Sequence, residues 1–410
     1  MPSLFDLLTK RLVEAWKRPR APGSGRAYRC ICQRPVFFRN SMCLACKTPL
    51  GYECELGCIA PLVPGTQPGT WRLVDIADSR PGSPDALYRR CGNFESAAGC
   101  NWLVPVEADG KSAELCVACR LNRTIPDLSN PENRVLWQRI EAAKRRLVSQ
   151  LISLGLPVAS RETEDPERGL MFDFLRAPPG GPPVMTGHVN GLITLDIEEA
   201  DDVRREHRRT QLHEPYRTLL GHLRHEVGHY YWERLIVATP WIDGFRELFG
   251  DGRADYAAAL KKHYAQGPRP DWANFHVTSY ASVHPWEDWA ETWAHYLHMV
   301  DTVDTALSFG LDAEEVEIEV EPFRPDALWR PDLRGASEFL EFLNSWVELT
   351  NVLNELSRSM GQPDFYPFVL PRAAVAKLQF IHGVVTGGPP PEAEQAPPPV
   401  PAAVHAVPPT

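Results

Sequence analysis

His225-Glu226-Val227-Gly228-His229 places two imidazoles one helical turn apart, with a carboxylate beside the first. Positions i and i+4 share a helix face, so both rings can reach one Zn²⁺ while Glu226 addresses a water on it. Leu219, Leu220, Leu223, Val227 and Leu235 give the surrounding segment, predicted helical over residues 214–235, the buried face of a packed helix. Gly228 leaves room for a close neighbour. Ordinary helical histidines at His222, His225 and His229 are the bland alternative, and the aligned glutamate weighs against it.

A catalytic zinc takes three protein ligands and keeps one position for water. Candidates for the third stand in Tyr280-Ala-Ser-Val-His284-Pro-Trp-Glu287-Asp288-Trp-Ala-Glu291-Thr-Trp-Ala-His295. A helix is predicted from Pro285, which suits a first helical position. Glu287, Glu291 and His295 then share one face, and spacing alone leaves the choice among them open. Trp286, Trp289, Trp293 and Tyr296 make this helix aromatic-rich, so His284, His295 and His298 read as histidines hydrogen-bonded within a core.

All ten cysteines lie between Cys30 and Cys119, a clustering that favours metal ligation over disulfides. Cys30, Cys32, Cys43 and Cys46 form two close pairs, as expected where two knuckle turns pinch a structural zinc between short strands. Cys116 and Cys119 make an equally good half of a second site, with Cys91 and Cys100 as partners. The expected complement is therefore one catalytic and two structural Zn²⁺ ions. Cys54 and Cys58 are left over and read as reduced thiols, although either could replace a presumed ligand. Arg26, Arg29, Arg34 and Arg39, with Tyr28, Phe37 and Phe38, would be the patch of a nucleic-acid-binding ribbon. Those aromatics more naturally fill the ribbon's own core, which favours a scaffold or substrate-recruiting role.

With 410 residues and 43% hydrophobic content, the chain can bury a full core. A net charge of −10 and a pI near 5.8 argue against a general affinity for nucleic acid or anionic membrane. No run of eighteen apolar residues and no secretory signal occur, so the expected compartment is the cytoplasm and no membrane partner is expected. Four regions are expected: an amphipathic helix and linker over 1–25, a zinc-ribbon region over 26–128, a metallopeptidase-like domain over 129–386, and a disordered Pro/Ala-rich tail over 387–410. Within them, helices are predicted over 131–154, 256–264 and 340–360, and strands over 170–175 and 191–197. The fold class is α+β, a mostly helical domain with a small mixed sheet after a small β ribbon. Oligomeric state leaves no signal.

Ser279-Tyr280, then Glu287, then Ala290-Glu291 is similar to the pattern that follows His-Glu-x-Gly-His in the lethal-factor-like zinc metallopeptidases and Pro-Pro endopeptidases. That resemblance implies Glu287 as third zinc ligand, Tyr280 as stabiliser of the transition state and Glu291 as the group orienting a ligand histidine. Over about residues 26–385 the chain resembles the bacterial zinc-binding metallopeptidases that carry an N-terminal zinc ribbon. The likeness rests on Cys100-Asn101-Trp102, Leu121-Asn122-Arg123-Thr124-Ile125-Pro126-Asp127-Leu128, the His225 motif and the stretch from His284 to His295. It implies a zincin-like domain acting on a peptide or protein substrate, with Glu226 as general base. The rival expectation is a zinc-stabilised interaction or nucleic-acid-binding protein with a latent or inactive site.

Overall fold

Asn130 and Pro131 set the start of a long helix, α1 (Pro131–Ser153): the Asn130 side chain accepts from the Glu132 amide at 2.9 Å, and Pro131 takes the first helical position. In the computed structural model of the protein, residues 26–74, 86–107, 109–211, 214–309 and 321–387 are described. The amphipathic helix and linker expected over 1–25, and the tail beyond residue 387, lie outside them. The chain divides into two compact units. Among the described residues, one holds 26–186 together with Gly191–Arg205, and the other holds Gly187–Asn190 and 206–387.

The first unit begins with a two-stranded hairpin, β1 (Tyr28–Arg29) and β2 (Pro35–Val36). Five antiparallel strands follow in sequential order: β3 (Leu50–Glu53), β4 (Cys58–Pro64), β5 (Trp71–Leu73), β6 (Tyr88–Arg90) and β7 (Leu103–Pro105). The sheet curls on itself, because the Tyr52 amide donates to Asn101 O at 2.9 Å and Tyr52 bridges Trp102. Gly51 permits this closure, since a Cβ there would sit 2.6 Å from the Leu103 side chain. Phe38, Tyr52 and Trp102 form a buried aromatic cluster within the turn, with ring centroids 4.9 and 4.6 Å apart along the chain of contacts. Tyr28 and Phe38 are thus core residues, as expected, whereas Phe37 is exposed. Next, β8 (Asn122–Thr124), β9 (Met171–Leu175) and β11 (Leu192–Asp196) run parallel, with β9 in the middle.

The second unit contains β10 (Gly187–Val189) and a set of helices. The short α2 (Asp202–Gln211) precedes α3 (Leu219–Leu235), α4 (Trp241–Phe249), α5 (Tyr256–Gln266), α6 (Pro285–Ser308), α7 (Ala336–Ser359) and α8 (Arg372–Thr386). α3 starts later than residue 214 because Pro215 disfavours helix before it and Thr218 caps the helix, its hydroxyl accepting from the Gly221 amide at 3.0 Å. α6 starts at Pro285, and the His284 ring caps it by accepting from the Trp286 amide at 3.1 Å. Trp289, Trp293 and Tyr296 on α6 are fully buried. Among the described residues no helix is long and apolar enough to cross a membrane.

α3 and α6 touch at Gly228, where a Cβ would meet Ala290 Cα at 3.1 Å and Trp293 Cδ1 at 3.2 Å. The Trp289 indole donates to Gly228 O at 2.8 Å across the same contact. Gly228→Val is therefore expected to destabilise the protein by ~1–3 kcal/mol through overpacking. Urea unfolding followed by tryptophan fluorescence would register this as a lowered midpoint, and an unchanged midpoint would show that the helices can separate freely.

Candidate metal centres

Each pair of the first cysteine set sits on a tight turn. The Cys30 amide donates to Arg34 O at 3.0 Å around Gln33, and the Lys47 amide donates to Cys43 O at 2.9 Å, with Gln33 and Lys47 both in the left-handed region at φ 62°. Sγ atoms of Cys30 and Cys46 lie 3.4 Å apart, and those of Cys32 and Cys43 lie 3.7 Å apart. A zinc tetrahedron with bonds near 2.3 Å has S···S edges of about 3.8 Å, so the four thiols fit one ion. The Thr48 hydroxyl and amide hold the Cys46 thiol down to about 6, which favours the thiolate a metal requires.

Cys91, Cys100, Cys116 and Cys119 form a second, wholly buried set. Cys100 and Cys116 Sγ are 3.7 Å apart, and the Cys116 amide donates to Cys91 Sγ at 3.4 Å. Four thiolates on a divalent ion carry net negative charge, which burial penalises unless cations stand near. α1 brings Lys144 and Arg145 to the Glu141 carboxylate, at 2.6 and 3.7 Å, and Glu141 Oε2 lies 3.8 Å from Cys119 Sγ. Cys54 and Cys58 join neither set. Burial pushes both thiols up to about 12, so they stay protonated.

The third cluster lies on α3 and α6. His225 and His229 present their Nε2 atoms 3.2 Å apart, and Glu287 Oε2 is 3.1 Å from the first and 3.6 Å from the second. Zinc bonds of 2.0–2.1 Å give tetrahedral edges of about 3.3 Å, close to all three separations. The donor set, two imidazoles and a carboxylate, also suits zinc. Glu291 plays a different part. Its Oε1 accepts from His225 Nδ1 at 2.7 Å and its Oε2 from the Thr278 hydroxyl at 2.7 Å. That bond places a proton on Nδ1 and leaves Nε2 as the ring atom that faces Glu287. His295 points elsewhere, hydrogen-bonded through Nδ1 to the Tyr366 hydroxyl at 2.6 Å, and burial lowers its pKa to about 4. His284 donates from Nε2 to Ala254 O at 3.1 Å, and His298 Nδ1 accepts from Arg224 at 2.6 Å.

Glu226 is buried, with Oε1 3.5 Å from His222 Nε2. The Tyr280 ring lies 6.1 Å from that of His225, centroid to centroid. Burial alone would depress the His225 pKa, but hydrogen bonds and charge from Glu287 and Glu291 outweigh it and hold the ring well above the usual imidazole range. Burial alone would raise Glu287, and the paired histidines instead hold it well below the carboxylate range. Two neighbours went unseen in the sequence. The Tyr256 hydroxyl donates to Glu287 Oε1 at 2.8 Å, and the buried His188 ring stacks on His229 at 6.4 Å. Neither stands at a spacing from the motif that local periodicity could expose.

Two thiol sets and a buried histidine-glutamate set are thus each arranged so that they could hold a metal ion. A family profile described as "Putative zinc-binding metallo-peptidase" matches residues 133–384, and a zinc-ribbon domain profile matches residues 27–130. Uncharacterized proteins of Mycobacterium tuberculosis and Mycobacterium bovis are 44% identical over 355 residues, covering 86% of this chain and 93% of theirs. The chain belongs to this zinc-binding metallopeptidase family, with a zinc ribbon at its amino-terminal side. No solved structure matches it.

Two outcomes are expected. Metal analysis of the purified protein should find one zinc fewer in His225→Ala than in the parent, with the thiol sites still filled; an equal count would remove this centre. A zinc ion bound at this centre would also displace a proton from His225, whose pKa is raised. Apparent affinity at this centre should therefore weaken as pH falls below that pKa, by up to about tenfold per unit for one proton. Chelator competition at several pH values measures this, and a flat profile would contradict it.

Proposed function

We propose that the protein is a zinc-dependent peptidase whose metal is held by His225, His229 and Glu287. The observation that carries this reading is the convergence of three ligand atoms from two helices, 3.1 to 3.6 Å apart, which is the number of protein ligands that a catalytic zinc would take. Zinc bound there supplies a nucleophilic water near neutral pH and polarises a carbonyl oxygen. The remaining work falls to the chain's own groups. Glu226 takes the proton from the water and passes it to the leaving amine. Its Oε2 is buried with no hydrogen-bond partner among the described residues, so it is free to accept one. Tyr280 donates to the oxygen that gains negative charge in the transition state. Glu291 keeps His225 in the tautomer that presents Nε2.

In this reading the eight ligand cysteines, Cys30, Cys32, Cys43, Cys46, Cys91, Cys100, Cys116 and Cys119, hold two structural zincs. Residues 26–128 form the ribbon region and 129–386 the peptidase domain of the proposal. A reducing compartment, the cytoplasm, suits that many thiolate ligands. The substrate is a peptide or protein. Nucleic acid is the weaker partner, because Tyr28, Phe38 and Arg26 are buried, which removes them from any stacking surface.

Glu226→Gln separates this reading from an inactive scaffold. The variant is expected to keep its zinc and its fold while cleavage of a peptide library, followed by mass spectrometry, falls by about 10²–10⁴ or more. Equal cleavage by parent and variant would defeat the proposal.

A further inference from the structure

We propose that Tyr256 is a positioning residue for the His225/His229/Glu287 centre, holding Glu287 to ligation through one oxygen, and that this leaves Tyr280 as the hydroxyl free to meet substrate. The inference rests on the reading of this cluster as a zinc centre and deepens it.

Tyr256 opens α5 behind the Asp255 cap, whose carboxylate accepts from the Ala258 amide at 3.0 Å. Two bonds tie this helix start to the start of α6. His284 Nε2 donates to Ala254 O at 3.1 Å, and the Tyr256 hydroxyl donates to Glu287 Oε1 at 2.8 Å. The Tyr256 ring is wedged edge-on against His284 and Trp286, at centroid distances of 5.3 and 6.2 Å, so the hydroxyl has little freedom to leave the carboxylate. With Oε1 held in this way, Oε2 is the oxygen that faces both imidazoles. A carboxylate that accepts a phenol proton at one oxygen has its metal affinity directed to the other.

Tyr256 has a single hydroxyl proton and gives it to Glu287. Tyr280, whose ring lies 6.1 Å from that of His225, takes no part in that bond, so its proton can meet a substrate oxygen without disturbing it. One hydroxyl therefore serves the ligand and the other serves the reaction.

The test compares Tyr256→Phe with Tyr280→Phe in the full chain. Zinc affinity at the histidine centre, measured by chelator competition, is expected to fall about 10–100-fold in Tyr256→Phe and to stay at the parent value in Tyr280→Phe. A second readout is the visible absorption of the cobalt-loaded protein, with the spectrum of cobalt-loaded His225→Ala subtracted to remove the thiolate sites. Tyr256→Phe should weaken the difference band as the freed oxygen raises the coordination number, while Tyr280→Phe should leave it intact. Should Tyr256→Phe fail to fold, fluorotyrosine at position 256 keeps ring and hydroxyl but strengthens the donor, and it should shift the same band. Parent-like affinity and spectrum in Tyr256→Phe, or an unshifted band with fluorotyrosine, overturns this proposal alone. A zinc count that His225→Ala does not change overturns the underlying reading of the centre, and this proposal with it.

Discussion

The backbone contact between α3 and α6 at Gly228 is the constraint on which the histidine centre depends. His225 and His229 stand three residues before and one residue after Gly228 on one helix, and Glu287 and Glu291 stand likewise about Ala290 on the other. With Gly228 pressed on Ala290 and locked by the Trp289 indole, a single register of the two helices is available. A one-residue slip would rotate each side chain by about 100° and carry the carboxylates out of reach of the rings. Close approach, not a particular ligand, thus sets the separations of 3.1 and 3.6 Å between Glu287 and the two imidazoles.

Buried charge pairs reinforce that register immediately beside the cluster. Arg224, just before His225, pairs with Asp301 of α6 at 2.7 Å. Asp288, just after Glu287, pairs with Lys377 of α8 at 2.6 Å, and Lys377 also donates to Phe275 O at 2.8 Å. The second pair therefore steadies the stretch that leads to Thr278 and Tyr280. Removing one partner of such a pair strands a buried charge, at a cost of about 3–5 kcal/mol. Their value here lies in orientation: each fixes the residue next to a member of the cluster, from the side facing away from it.

How far the sequence could be read follows the range of each signal. The histidine pair, the close cysteine pairs and the Pro285 start are local patterns, and each stands in the structure where its spacing puts it. Glu287, Glu291 and His295 could not be told apart by spacing because they share a face. What separates them is contact: one meets Nε2 atoms, one meets Nδ1 and Thr278, one meets Tyr366. Tyr256 stands 31 residues from Glu287, and nothing local links the two. The polar α2 has no apolar stripe, and the strands of the curled sheet are as short as three residues among cysteine turns, so periodicity had little to work with.

Charge distinguishes the histidine centre from the rest of its unit. Asp288 and Asp301 each face a lysine or arginine, whereas among the described residues no such ion pair joins Glu226, Glu287 or Glu291: imidazoles stand beside all three, and the Tyr256 and Thr278 hydroxyls donate to Glu287 and Glu291. Three carboxylates at a buried site with neutral rings would be untenable in a medium that solvates charge poorly. The raised pKa of His225 is one answer, since a proton on that ring offsets part of the excess. A divalent cation would be the larger one: it would bring two charges to the point where both Nε2 atoms and Glu287 Oε2 converge.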